Sequence, residues 1–209
     1  MRARALGICM AMLVVTAGCT RGYRFTRPQP ETLVLGKTTY EEIVRQVGEP
    51  VRAGTAVKND QSLKVVSYWF SCGGFACKAE EWTGEVGVAT WRAMDFYFLD
   101  GVLVGYYYTS TVPGDKTDFD DIKAYQLKKG QTTRSQVIEL LGKPSGMYIY
   151  PMISSKTDTA LVYFYRAVGY RAVGPGKRAT KLLVVSFDTH DLVTGAELRP
   201  AGENVRGTP

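Results

Sequence analysis

Histidine is almost missing from this chain: among its 209 residues only His190 carries an imidazole. Sites that need two imidazoles to hold zinc, or a histidine beside a nucleophile, lose most of their material at once. Long apolar runs are also scarce. After Cys19 no segment reaches the roughly 18 consecutive apolar residues of a membrane-crossing helix. Lysine and arginine outnumber aspartate and glutamate by 26 to 20, yet they never gather into the stripe that follows a phosphate backbone, so nucleic acid is not an expected partner. The glycine-rich stretch 168–178 lacks the Gly-Lys-Ser/Thr ending of a phosphate loop, and the sequence shows no Ser/His/Asp set and no cofactor fingerprint. These gaps point away from an enzyme and from any metal or cofactor. What remains is ordinary for a folded protein, with 45% apolar and 22% charged residues, in a length that allows one large domain or two small ones.

The N-terminus has the layout of an export signal. Arg2 and Arg4 precede an apolar run from Ala5 to Ala17 that is too short for a permanent span. The run ends in Val15-Thr16-Ala17-Gly18-Cys19, which resembles a bacterial lipobox, with Thr16 where Leu or Val is usual. On that resemblance residues 1–18 are a lipoprotein signal peptide and Cys19 is the acylated (palmitate-bearing) residue. Ordinary secretory cleavage after Ala17 or Gly18 is the alternative. Thr20, in place of Asp, points by the same resemblance to the outer membrane, with the body of the chain facing the periplasm. Residues 19–30 are polar, basic and proline-containing, and are expected to be a tether.

In an oxidising compartment Cys72 and Cys77, separated by Gly-Gly-Phe-Ala, read most simply as a disulfide closing a small loop. A thiol redox pair and half of a zinc site are the alternatives, although the spacing is not Cys-x-x-Cys and no second ligand pair exists.

An internal repeat sets the expected architecture. Residues 36–50 (GKTTYEEIVRQVGEP) align without gaps with residues 130–144 (GQTTRSQVIELLGKP), with five identities. Thr39 and Thr133 are placed as helix caps, with Glu42 and Gln136 three residues on to close a capping box. Ile43, Val44 and Val47, and likewise Val137, Ile138 and Leu141, share one side of a helix, which is expected to be buried. Gly48 and Gly142 then end it, and Pro50 and Pro144 keep it ended. Strands are expected at Leu63 to Ser71, Arg92 to Leu99 and Val102 to Thr111, and again at Thr159 to Val168, Lys181 to Phe187 and Leu192 to Arg199. The expected fold is α+β: two tandem units, 31–112 and 113–200, each a short helix on its own three-stranded antiparallel sheet, with 201–209 as a tail.

The lipobox followed by Gly-x-Thr-Thr, an aliphatic helix and Gly-x-Pro resembles the SmpA/OmlA (BamE-like) family of outer-membrane lipoproteins, and the tandem layout resembles the β-lactamase inhibitor proteins. That resemblance implies a non-enzymatic lipoprotein scaffold in envelope biogenesis, whose partners are envelope proteins and include barrel-assembly components. A periplasmic binder that inhibits a specific enzyme is the alternative. Candidate contact residues are Tyr106, Tyr107 and Tyr108, which cannot all face one side of a strand, together with Trp82 and Trp91. Cross-strand aromatic packing is the competing explanation for these rings. His190, between two aspartates in a turn, is assigned no role, and Asp118, Asp120 and Asp121 are expected to start a helix rather than hold a cation.

Overall fold

The computed structural model describes residues 21–73, 76–82, 90–166 and 180–199. Nine strands and two α-helices follow in the order β1 (Arg21–Gly22), α1 (Tyr40–Val47), β2 (Arg52–Lys58), β3 (Gln61–Cys72), β4 (Thr90–Leu99), β5 (Val102–Ser110), α2 (Arg134–Leu141), β6 (Gly146–Tyr148), β7 (Thr159–Arg166), β8 (Thr180–Phe187) and β9 (Val193–Arg199).

Both helices are built by the same local chemistry. The Thr39 hydroxyl accepts from the Glu42 N–H while the Glu42 carboxylate accepts from the Thr39 N–H at 2.8 Å, and Thr133 and Gln136 repeat the exchange. Gly48 and Gly142 terminate the helices with φ of 97° and 85°, a region that favours glycine. Each terminal carbonyl then accepts a phenol from the sheet, Tyr68 onto Gly48 at 2.8 Å and Tyr163 onto Gly142 at 3.1 Å. In α1 only Ile43 is buried; in α2 Val137 and Leu141 are. Ile138, expected on the buried side, is 39% exposed, because a two-turn helix lying on a sheet buries a narrower stripe than the sequence offers.

The expected pair of three-stranded sheets is not what forms. All nine strands belong to one antiparallel sheet, ordered β1-β3-β4-β5-β6-β7-β8-β9 with β2 also on β3. β2 and β6 lie outside the expected strands, and β6 joins the two halves by pairing with β5 on one side and β7 on the other. The physical reason lies at Gly146. A Cβ there would stand 1.9 Å from the Tyr106 carbonyl oxygen, so only glycine lets β6 approach β5 closely enough to continue the ladder. Joining β5 to β6 also removes two unpaired strand edges that separate sheets would have exposed.

Packing differs between the faces. On the helix side, α1 covers a cluster that includes Val66, Tyr68, Phe96 and Tyr106, and α2 covers one that includes Leu161, Tyr163, Leu183 and Phe187. Met147 of β6 touches both. On the other face a third cluster forms around Tyr148, Ala160, Val162 and Phe164, covered by Met152 and Ile153 rather than by a helix. The sheet curls toward that face. Seven strand steps separate β2 from β9, which in a flat sheet would place them about 34 Å apart. Instead Asn59, in the turn after β2, lines one cleft of about 490 Å³ together with Glu197 of β9.

Part of the expected tether is also docked. β1 pairs with Ser71 and Phe70 of β3, and Phe25 packs on the first helix-side cluster.

Candidate functional site

Strand alternation sends Tyr68, Phe70, Met94, Phe96, Tyr106 and Tyr108 toward the helices, and sends their neighbours Trp69, Trp91, Asp95, Tyr97 and Tyr107 to the helix-free face. β3 and β4 pair Ser71 with Trp91 and Trp69 with Ala93, so the two indoles meet diagonally and stack with centroids 5.6 Å apart. A run of rings continues across the junction. Tyr97 lies 6.3 Å from Tyr107 and 6.1 Å from Tyr148, and Tyr107 lies 4.6 Å from Phe164 of β7.

Asp95 sits among these rings. Its carboxylate accepts from the Tyr107 phenol and the Ser67 hydroxyl, with Arg166 and Arg52 near enough to act on its charge. Burial pushes its pKa up, against the opposing pull of those donors and guanidinium groups. Burial first, and the Asp95 charge second, pushes the Tyr107 phenol well above its ordinary range. Arg166 also lies over the Trp91 ring at 5.8 Å, and the Trp91 Nε1 is buried with no hydrogen-bond partner among the described residues. The face therefore combines partly exposed indoles, two cations and a carboxyl group whose burial raises its pKa. Such a surface suits contact with another macromolecule.

The five expected contact residues do not form one surface. Trp91 and Tyr107 share the helix-free face. Tyr106 and Tyr108 are buried under α1, where the Tyr108 phenol donates to Asp115 at 2.6 Å. Trp82 stands apart, 46% exposed, at the end of the 79–81 turn. Cys72 and Cys77 form a disulfide with Cα atoms 5.3 Å apart. Cys19 and the glycine-rich stretch 168–178 lie outside the described residues. Asp120 caps a turn of 3-10 helix over Asp121–Gln126, while Asp118 and Asp121 pair with Lys181 at 2.7 and 3.4 Å. Among the described residues no group of His, Cys, Asp or Glu is arranged to hold a metal ion, and no helix is long and apolar enough to cross a membrane. Trp69, Asp95, Tyr148, Phe164 and Arg166 were not singled out by sequence. The one available signal was the alternation of Met94, Phe96 and Phe98 with Ala93, Asp95 and Tyr97, which marks the second set as a separate face.

No protein-family model matches the chain, so the SmpA/OmlA resemblance stands on its motif alone. A DNA ligase from Sinorhizobium fredii (strain NBRC 101917 / NGR234) is 27% identical over 146 residues, which cover 68% of this chain and 20% of the ligase. The chain thus spans about a fifth of that relative's length. Among solved structures, a provisionally assigned β-lactamase inhibitor protein from Streptococcus mutans aligns over 78% of this chain and 82% of its own, at 11% identity and a TM-score of 0.38.

Proposed function

We propose that this chain is a non-enzymatic, exported protein-binding module, anchored to the outer membrane through a lipid on Cys19, that holds an envelope protein against the helix-free face of its sheet. The observation that carries this is the Trp69–Trp91 stack beside Asp95 and Arg166, on a sheet face that neither α-helix covers. Large amphipathic rings and arginines are the residues through which interfaces gain most of their binding energy. A desolvated carboxylate with two cations nearby gives such a face electrostatic selectivity as well as area. The partners are envelope-biogenesis proteins, barrel-assembly components among them.

A photo-crosslinking residue at position 69, compared with one at the exposed helix-side position 138, tests this in intact cells. Mass spectrometry is expected to find an envelope protein attached at 69 and not at 138, and Arg166→Glu is expected to reduce that attachment at least tenfold. Equal labelling from both positions, or the absence of any envelope protein, overturns the proposal. Recovery of the same adduct from soluble Cys19→Ala protein, on a periplasmic enzyme, favours the inhibitor reading instead.

A further inference from the structure

A free tether over residues 19–30 would let the body drift as far as about 40 Å from its anchor, eleven steps of roughly 3.6 Å. The described part of that stretch is held down. Arg21 and Gly22 pair with Ser71 and Phe70, and the Tyr23 N–H donates to the Trp69 carbonyl at 3.1 Å. Arg24 donates to both Glu81 carboxylate oxygens at 3.0 Å and to the Ala76 carbonyl at 3.2 Å, which ties the chain entry to the turn after the disulfide. Gly22 makes the close approach possible, since its φ is +74° and a Cβ would stand 2.0 Å from the Trp69 carbonyl oxygen. Between Cys19 and the first paired residue only two chain steps remain, a reach of about 7 Å.

We infer that the protein rides directly on the bilayer, with the β1 and disulfide end against the lipid headgroups and with Tyr23 and Trp82 in the headgroup layer. This rests on the lipid anchor at Cys19. The headgroup layer of one leaflet is about 5–8 Å deep, comparable to the reach that β1 leaves, so the body has no room to stand clear of it. Two large rings left outside the cores mark this end. Tyr23 is 73% exposed, and Trp82, next to the Glu81 that Arg24 grips, is 46% exposed. Tyrosine and tryptophan are the residues that settle at the membrane–water boundary, where an apolar ring and a polar edge are both satisfied. Lys78 and Glu80 are both exposed on the same turn, so their charges offset and the two rings carry the contact with the headgroups.

The lipidated full chain, reconstituted in phosphatidylethanolamine–phosphatidylglycerol vesicles that carry a nitroxide high on the acyl chain, tests the inference through tryptophan quenching. A quenched component is expected in the wild type, absent in Trp82→Phe, and at least twofold smaller in Gly22→Val, which releases β1 while leaving the anchor in place. The intact mass of the N-terminal peptide is measured on the same samples. Acylated Cys19 with equal quenching in wild type and Trp82→Phe overturns this inference alone. A ring shielded from aqueous acrylamide yet untouched by the lipid nitroxide does so too, since a protein then covers it. An unmodified Cys19 overturns the anchor and, with it, this placement.

Discussion

At the scale of single residues, two carboxylates respond to pH in opposite senses. Burial raises the folded pKa of Asp95 above its ordinary 3.8, so the folded protein holds that proton more tightly than the unfolded chain does. Stability therefore falls as pH rises through the window between the two values, and stays lower at neutral pH. Asp95→Asn cannot ionise. It is expected to melt at a higher temperature than wild type at pH 7 and to lose that advantage below about pH 4, as thermal scans at the two pH values would register. Glu81 behaves in reverse: the Arg24 guanidinium holds its carboxyl below the ordinary range. Its contribution is present at neutral pH and disappears as pH falls through the folded pKa. Hydrogen exchange at the Tyr23 amide, corrected for intrinsic rates, is expected to accelerate below about pH 4 in wild type and to be fast already at pH 7 in Glu81→Gln.

At the scale of elements, each helix is a two-turn unit that cannot persist on propensity alone, so its caps and its buried contacts carry it. Thr39→Ala and Thr133→Ala are each expected to cost about 1 kcal/mol, and Ile43→Ala about 2–5 kcal/mol, read from urea midpoints at constant slope. The caps were legible in the sequence because they depend on residues three apart. The phenols of Tyr68 and Tyr163 that close the other helix ends were not, since they arrive from strands some 20 residues on. β2 escaped notice because Arg-Ala-Gly-Thr-Ala-Val-Lys is exposed along nearly its whole length and shows no apolar alternation. β6 escaped because three residues carry no period at all. At the candidate site, the three consecutive tyrosines announced a split between faces without saying which ring went where. The register of β5 on β4 decides it, pairing Tyr107 with Asp95 and leaving Tyr106 and Tyr108 opposite Phe96 and Met94.

At the scale of the whole molecule, the junction strand β6 decides whether two similar halves behave as one body. Its three residues pair with β5 and β7, and flanking bonds from Tyr108 N–H to Ser145 at 3.0 Å and from Ile149 N–H to Val104 at 3.0 Å extend the seam. The helix-free face crosses that seam, because Asp95 and Tyr107 belong to the first half and Phe164 and Arg166 to the second. Continuity of the sheet is thus expected to have two consequences, cooperative unfolding and, under the proposed function, a contact face that is not divided at the junction. Gly146→Val tests both, since its side chain would collide with backbone atoms of Tyr106 and Tyr107 that have nowhere to move within a ladder. Overpacking of this kind costs about 1–3 kcal/mol or more. All three tryptophans lie in the first half, so their fluorescence follows chiefly that half, Trp91 also sensing Arg166 across the junction, while hydrogen exchange at Leu183 and Val185 follows the second. Wild type is expected to give coincident transitions by the two probes, as a single cooperative unit does. In Gly146→Val the transitions are expected to separate, with helical and strand content retained in both halves, while crosslinking through position 69 falls at least tenfold. Coincident transitions in the variant, with crosslinking intact, would show that the halves communicate by a route other than β6.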